Sequence, residues 1–226
     1  MIDYRTMLKE ASEPQLAEFS SKLTPCKSGI TGVRIPEIRR IAKLIVRDDW
    51  RSYLEDEPRN FEEEVLKGIV IATAPMETSE RIVLTESFLP HIDNWATCDY
   101  FCNSWKTEPD DSDVWDYFSG LMRSDDEFRM RVSVVLRMDK FADEEHYRML
   151  LEDIQDYDNE GYYYRMGAAW AVCECYVKFP EMTKKVLESS RLCDWTQNKS
   201  IQKIRESYRV SAEDKESLLA LKRRSP

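Results

Sequence analysis

Glycine is scarce in this sequence, with 6 residues in 226. Strand-like alternation of apolar and polar residues is nearly absent as well, which argues against a β-rich fold. No run of 18 apolar residues occurs, so no membrane-spanning helix is expected. The first segment, "MIDYRTMLKEAS", is acidic and amphipathic and lacks the apolar core of a signal peptide, so a cytoplasmic location is expected. The only histidines are His91 and His146. Six cysteines are present, at 26, 98, 102, 173, 175 and 193, and neither close pair has zinc-finger spacing. They fall inside apolar helical patterns, which predicts free, buried thiols and no metal site. No Pro/Ser-rich linker divides the chain, so residues 1–226 are read as a single domain.

What is present is helical periodicity. Apolar residues recur at spacings of three and four almost throughout. "PEIRRIAKLIV" opens with Pro36, which suits a first helical turn. "FEEEVLKGIVIATA" stops at Pro75, and "SERIVLTESFLPHI" meets Pro90. Continued to the end, this pattern predicts about a dozen short helices joined by connections of a few residues. Consecutive helices are then antiparallel neighbours, with a pair-to-pair spacing of roughly 35–45 residues, close to that of HEAT-type repeats. The expected fold is all-α, a helical-repeat solenoid with a concave face suited to an extended partner.

Net charge is −10, with a sequence pI of about 4.9. Taken whole, that argues against nucleic acid as a partner. The charge is segregated, however. Residues 27–51 hold seven Lys/Arg against three Asp/Glu, and residues 195–226 hold eight against four. Residues 143–160 hold eight Asp/Glu against one Arg, and these acids are expected to face outward, away from any basic groove.

Within "DNWATCDYFCNSWK", Trp95 stands four residues before Asp99, so the indole and the carboxylate share one helix face about one turn apart. By spacing alone this is an aromatic stripe beside a solvated Asp. Arg131 lies in "EFRMRVSVVLRMDKF" among Val132, Val135 and Leu136. Trp170 follows Gly167, Ala168 and Ala169, small residues that suit close helix packing or leave room for a ligand. Taken singly, Arg131 reads as a core-edge ion-pair partner and Trp170 as core.

The segments "GVRIPEIRRIAK", "DNWATCDYFC", "RMRVSVVLRM", "YYYRMGAAWAVCECYVKFP" and "NKSIQKIRES" occur in that order over most of the chain. Together they resemble the AlkD family of bacterial DNA alkylation-repair proteins, which are HEAT-like DNA glycosylases. The resemblance implies a site made of a Trp, an Asp four residues on, an Arg, and a second Trp on a later helix. Trp95, Asp99, Arg131 and Trp170 fill those positions. It further implies removal of positively charged N3- or N7-alkylated purines, such as 3-methyladenine and 7-methylguanine, from double-stranded DNA.

On that reading Asp99, Trp95, Trp170 and Arg131 are catalytic, and Arg34, Arg39, Arg40, Lys43, Arg165, Lys199, Lys203 and Arg205 bind DNA. An aromatic that family members carry near the end of the second helix falls around Leu23. No lysine has an evident nucleophilic role, so no lyase step, no metal and no organic cofactor are expected, and a monomer is the expected form. A second reading stays open, a non-catalytic helical-repeat module that binds DNA, RNA or protein.

Overall fold

The computed structural model describes residues 2–223, and no strand occurs among them. Fourteen α-helices account for most of these residues, in two compact units, Met1–Thr107 and Glu108–Pro226. The first unit contains α1 (Tyr4–Glu10), α2 (Pro14–Leu23), α3 (Ile35–Arg47), α4 (Trp50–Leu54), α5 (Phe61–Thr73), α6 (Thr78–Phe88) and α7 (Trp95–Ser104). The second contains α8 (Ser112–Gly120), α9 (Glu127–Lys140), α10 (Glu144–Asp156), α11 (Tyr162–Lys178), α12 (Pro180–Glu188), α13 (Asp194–Glu206) and α14 (Ala212–Ser217). The fold is all-α, as the periodicity predicts. The helix that periodicity does not reveal is α4, whose five residues are too few to display a repeat.

The helix starts follow local chemistry. The side chains of Asp3, Asp49, Asn60, Asn94, Asp111, Asp126, Asp143 and Ser211 each accept a first-turn N–H. Pro14, Pro36 and Pro180 occupy first turns, where a missing N–H does no harm. Pro90 sits in a single 3-10 turn that follows α6.

Each unit has the layered arrangement of helical-repeat proteins. In the first, α5 packs between α3 and α7, while α4 and α6 flank α5. In the second, α11 packs between α9 and α13, with α8 and α10 against α9 and α12 against α11. A helix covered on both sides buries polar residues too. Of α5, Glu62, Glu63 and Lys67 are buried beside Val65, Leu66, Ile69 and Val70. Cys98, Cys102, Cys173 and Cys175 are buried free thiols, while Cys26 and Cys193 are half-buried. Among the described residues no helix is long and apolar enough to cross a membrane.

Glu62 is only 1% exposed, yet it is satisfied. Its carboxylate accepts the backbone N–H groups of Thr31 (2.9 Å), Gly32 (2.6 Å) and Val33 (3.3 Å). Charge-assisted bonds of this kind are the strong ones, so Glu62 holds the loop between α2 and α3 in place. Gly32 is required there. Its φ is +84°, and a Cβ would stand 2.3 Å from the Glu13 carbonyl oxygen.

The acidic stretch 143–160 departs from expectation. Asp153 does not simply face outward. Its carboxylate lies 2.5 Å from Nη1 of Arg137, which is completely buried. The same guanidinium donates to Ser119 Oγ at 3.0 Å and lies 4.9 Å from the centre of the Trp115 ring. Asp156 pairs with Arg191 and Asp158 with Arg165. These acids therefore neutralise cations of their own unit. A buried guanidinium needs a counter-ion, and linear charge patterning cannot show where that counter-ion lies.

Candidate active site

The "DNWAT" segment sets the register of α7. Asn94 is fully buried and caps the helix. Its Oδ1 accepts the Thr97 N–H at 2.9 Å, and its Nδ2 donates to Thr97 Oγ1 at 3.0 Å. Trp95 is thereby the first residue of α7, and Asp99 follows one turn on. Both are half-buried. The Trp95 indole N–H donates to the Leu23 carbonyl at 3.1 Å. That carbonyl belongs to the last turn of α2, where helix carbonyls lack intrahelical partners. One hydrogen bond therefore fixes the plane of the indole and ties α7 to α2.

Beside Trp95 opens an apolar cavity of about 410 Å³, lined among others by Phe19, Leu23, Val33, Pro36, Trp95 and Tyr100. Phe19 and Leu23 are 61% and 56% exposed, unusually open for such side chains. Leu23, the position where the resemblance implies an aromatic, thus forms one wall of this cavity through its side chain and anchors Trp95 through its carbonyl. Burial raises the Tyr100 phenol pKa, with Arg39 pulling it down and Asp99 pushing it up. A cation and a carboxylate are both within electrostatic reach of this wall.

In the second unit Arg131 lies on α9 and Trp170 on α11, two helices that pack against each other. Arg131 is 5% exposed and donates from Nη1 to the Tyr163 carbonyl at 2.7 Å. It thereby ties α9 to the first turn of α11. Its stem crosses α11 at Gly167, where a Cβ would meet Arg131 Cγ at 3.4 Å. Ala168 and Ala169 are fully buried, whereas Trp170 is half-buried. The small residues before Trp170 therefore serve close helix packing, one of the two readings the sequence allows. The structure brings together Trp95 with Asp99, and Arg131 with the helix that carries Trp170.

The basic residues separate into two groups. Arg34 is held bidentately by Glu13 (2.7 and 2.9 Å), Arg40 by Glu37 (2.9 and 2.6 Å) and Arg165 by Asp158 (3.3 and 2.7 Å). The first two pairs are exposed, and such pairs contribute only ~0–1 kcal/mol, so a phosphate can displace them at little cost. Lys199 donates to Gln202 at 2.8 Å and lies 5.6 Å from the Trp195 ring centre. Arg39, Lys43, Lys203 and Arg205 form no salt bridge among the described residues.

Two features are missed by sequence reasoning. One is the apolar cavity, because Phe19 and Val33 come from separate segments. The other is an aromatic row at the start of α11. Phe128 stacks on Tyr163 at 5.2 Å, and Tyr162 meets Trp195 edge-on at 6.0 Å. The run "YYY" at 162–164 is its only signal.

The first turn of α5 carries a pH-sensitive group, Glu64. Asp93 accepts the Lys27 N–H at 2.9 Å. Nearby, burial together with the Asp93 and Glu62 carboxylates pushes the Glu64 pKa up to about 7, against the pull of Ser28 and Lys27. Its folded pKa lies above the unfolded value, so stability is fully present in acid and is lost as pH rises through about 7. Glu64 is partly exposed and solvent screens part of this effect, so Glu64→Gln should gain on wild type by about 1–2 kcal/mol between pH 4.5 and 8. Urea denaturation at both pH values measures this, and an unchanged difference would show that Glu64 does not titrate in that window.

A sequence search finds no matching curated protein. The DNA alkylation repair enzyme family matches residues 4–209, nearly the whole chain, so this protein belongs to the DNA alkylation repair enzyme family.

Proposed function

We propose that the protein is a monofunctional DNA glycosylase that hydrolyses the N-glycosidic bond of N3- and N7-alkylated purines in duplex DNA. One observation carries the reading. In a chain of a DNA alkylation repair family, the carboxylate of Asp99 stands one helical turn from a tryptophan whose indole is fixed by the Leu23 carbonyl. The two units are read as one functional domain, acting as a monomer in the cytoplasm.

The chemistry suits those residue types. Alkylation at N3 or N7 makes the purine cationic and hence a good leaving group, so little help from a general acid is needed. The glycosidic bond breaks with oxocarbenium character on the deoxyribose. A carboxylate beside C1′ is favoured more in that transition state than in the ground state, and it can orient the attacking water. Asp99 takes both roles. Trp95 and Trp170 present indole faces to the sugar and the cationic base, where cation–π attraction contributes. Arg131 holds the start of α11 and engages the DNA backbone. Arg34, Arg39, Arg40, Lys43, Arg165, Lys199, Lys203 and Arg205 serve phosphates. No lysine nucleophile enters the scheme, so the product is an intact strand with an abasic site.

The test is release of free base from duplexes containing 7-methylguanine or 3-methyladenine under single-turnover conditions. The expected products are free base and a strand that breaks only on alkali treatment. Net charge and the carboxylates on Arg34, Arg40 and Arg165 favour the second reading, a non-catalytic binding module. DNA binding with no base released from either duplex would establish that reading instead.

A further inference from the structure

A second cavity, of about 380 Å³, opens in the first unit and is lined by Arg39, Lys43, Arg47, Lys106, Asn103 and Ser104, among others. Unlike the first cavity, it gathers four cations at its rim, over a floor that includes Ala42, Val46 and Ile69. The four cations are exposed, and none forms a salt bridge among the described residues. In a chain of net charge −10, four cations gathered at one cavity with no carboxylate on them are a local excess of positive charge. Ser104 Oγ is buried in the same place with no hydrogen-bond partner. A buried hydroxyl without a partner is one a ligand can satisfy.

Helix C-termini attract cations on their own account. The helices α3, α5 and α7 end at Arg47, Thr73 and Ser104, so three helix C-termini converge near the cavity. Each carries about half a negative charge, which basic residues in a last turn offset. Three termini amount to roughly −1.5, and four cations exceed that by more than two charges. Arg39 also lies two turns before the end of α3, outside the range of that effect. Helix termini therefore account for less than half of the positive charge.

The arrangement also says what kind of anion fits. Arg39, Lys43 and Arg47 follow one another at i, i+4 and i+8 on α3, a straight row about 12 Å long. A row of that length suits a linear polyanion rather than a single compact ion. One DNA strand offers a charge about every 3.4 Å along its axis. The row also has a defined register to the site. Asn103 is one turn beyond Asp99 on α7, about 6 Å along the axis, and its Nδ2 donates to the Asp99 carbonyl at 2.8 Å.

We infer that Arg39, Lys43, Arg47 and Lys106, with Ser104, form a seat for consecutive phosphodiesters of one DNA strand, one to two nucleotides from the sugar that Asp99 faces. The inference rests on the DNA reading above and adds Arg47, Lys106 and Ser104, which linear charge patterning does not single out as a group. These are positioning residues. They set where the strand lies and leave the bond-breaking step to Asp99.

The test uses the full chain and fluorescence anisotropy with an unmodified duplex and a 7-methylguanine duplex over a salt series. The triple variant Lys43→Gln/Arg47→Gln/Lys106→Gln alters only exposed side chains, and circular dichroism checks its fold. Its affinity should fall at least tenfold, and its log K against log salt slope should be shallower by about two, near 0.9 for each phosphate no longer neutralised. Its single-turnover excision at sub-saturating protein should fall in step with its affinity. Arg51→Gln, whose cation pairs with Glu80 at 2.9 Å and has no assigned part in the site, should change affinity less than threefold. Neutral methylphosphonates placed singly in the lesion strand should weaken wild type at one or two positions and leave the triple variant unaffected there. Wild type and triple variant equal in affinity and slope would overturn the seat, whatever the excision assay gives. A wild type that binds through the seat yet releases no base would overturn the glycosylase reading and leave the seat standing.

Discussion

Asp99→Asn is expected to retain the fold and bind duplex DNA, yet to release 7-methylguanine about 10²–10³ times more slowly than wild type. The amide keeps the size of the carboxyl group and part of its hydrogen bonding. It removes the negative charge opposite the forming oxocarbenium ion, where electrostatic stabilisation acts mainly on the transition state. The effect should therefore appear in the single-turnover rate at saturating protein, with little change in affinity. Trp95→Phe should give a smaller loss. The ring face survives, but the hydrogen bond to the Leu23 carbonyl that fixes its plane does not. If Trp95 and Asp99 were only packing, Asp99→Asn would be silent, and Trp95→Ala would cost stability alone, about 3–5 kcal/mol for a core aromatic. Excision rates beside thermal melts separate these cases, and an Asp99→Asn protein with the wild-type rate would end the catalytic assignment.

Asp153→Ala is expected to destabilise the protein by about 3–5 kcal/mol, the largest loss anticipated from a single surface-proximal carboxylate. The cost lies in what remains. Arg137 is completely buried on α9, and burial already lowers its pKa, against the support of Asp153. Without Asp153 the guanidinium keeps Ser119 Oγ, the Ser133 carbonyl and the Trp115 face, none of which carries a formal charge. Adding Arg137→Met to Asp153→Ala should restore much of the loss, because replacing both members of a buried pair by apolar groups is often nearly neutral. Asp156→Ala, which breaks the exposed pair with Arg191, should cost no more than about 1 kcal/mol. Guanidinium denaturation of the three proteins measures all of this. A double variant as unstable as Asp153→Ala alone would show that Arg137 acts through packing rather than charge.

The sequence by itself determined the helices, because their causes are local. A three-to-four apolar repeat, an Asn or Asp before the first turn and a proline within it act over a few residues, and each is readable in order along the chain. The adjacency of Trp95 and Asp99 is of the same kind, a consequence of helical pitch and of the Asn94 cap. Tertiary structure alone decided which charges are occupied. Nothing in "FEEEVLKG" shows that Glu62 holds three backbone amides from a loop 29–31 residues away, while Glu64 is left to titrate near neutrality. Nothing in the basic run 27–51 shows that Arg34 and Arg40 are paired, while Arg39, Lys43 and Arg47 stand open beside Lys106. A side chain's partner is chosen by packing between segments distant in sequence. Burial then raises the cost of leaving a charge unpaired far above anything that local periodicity records.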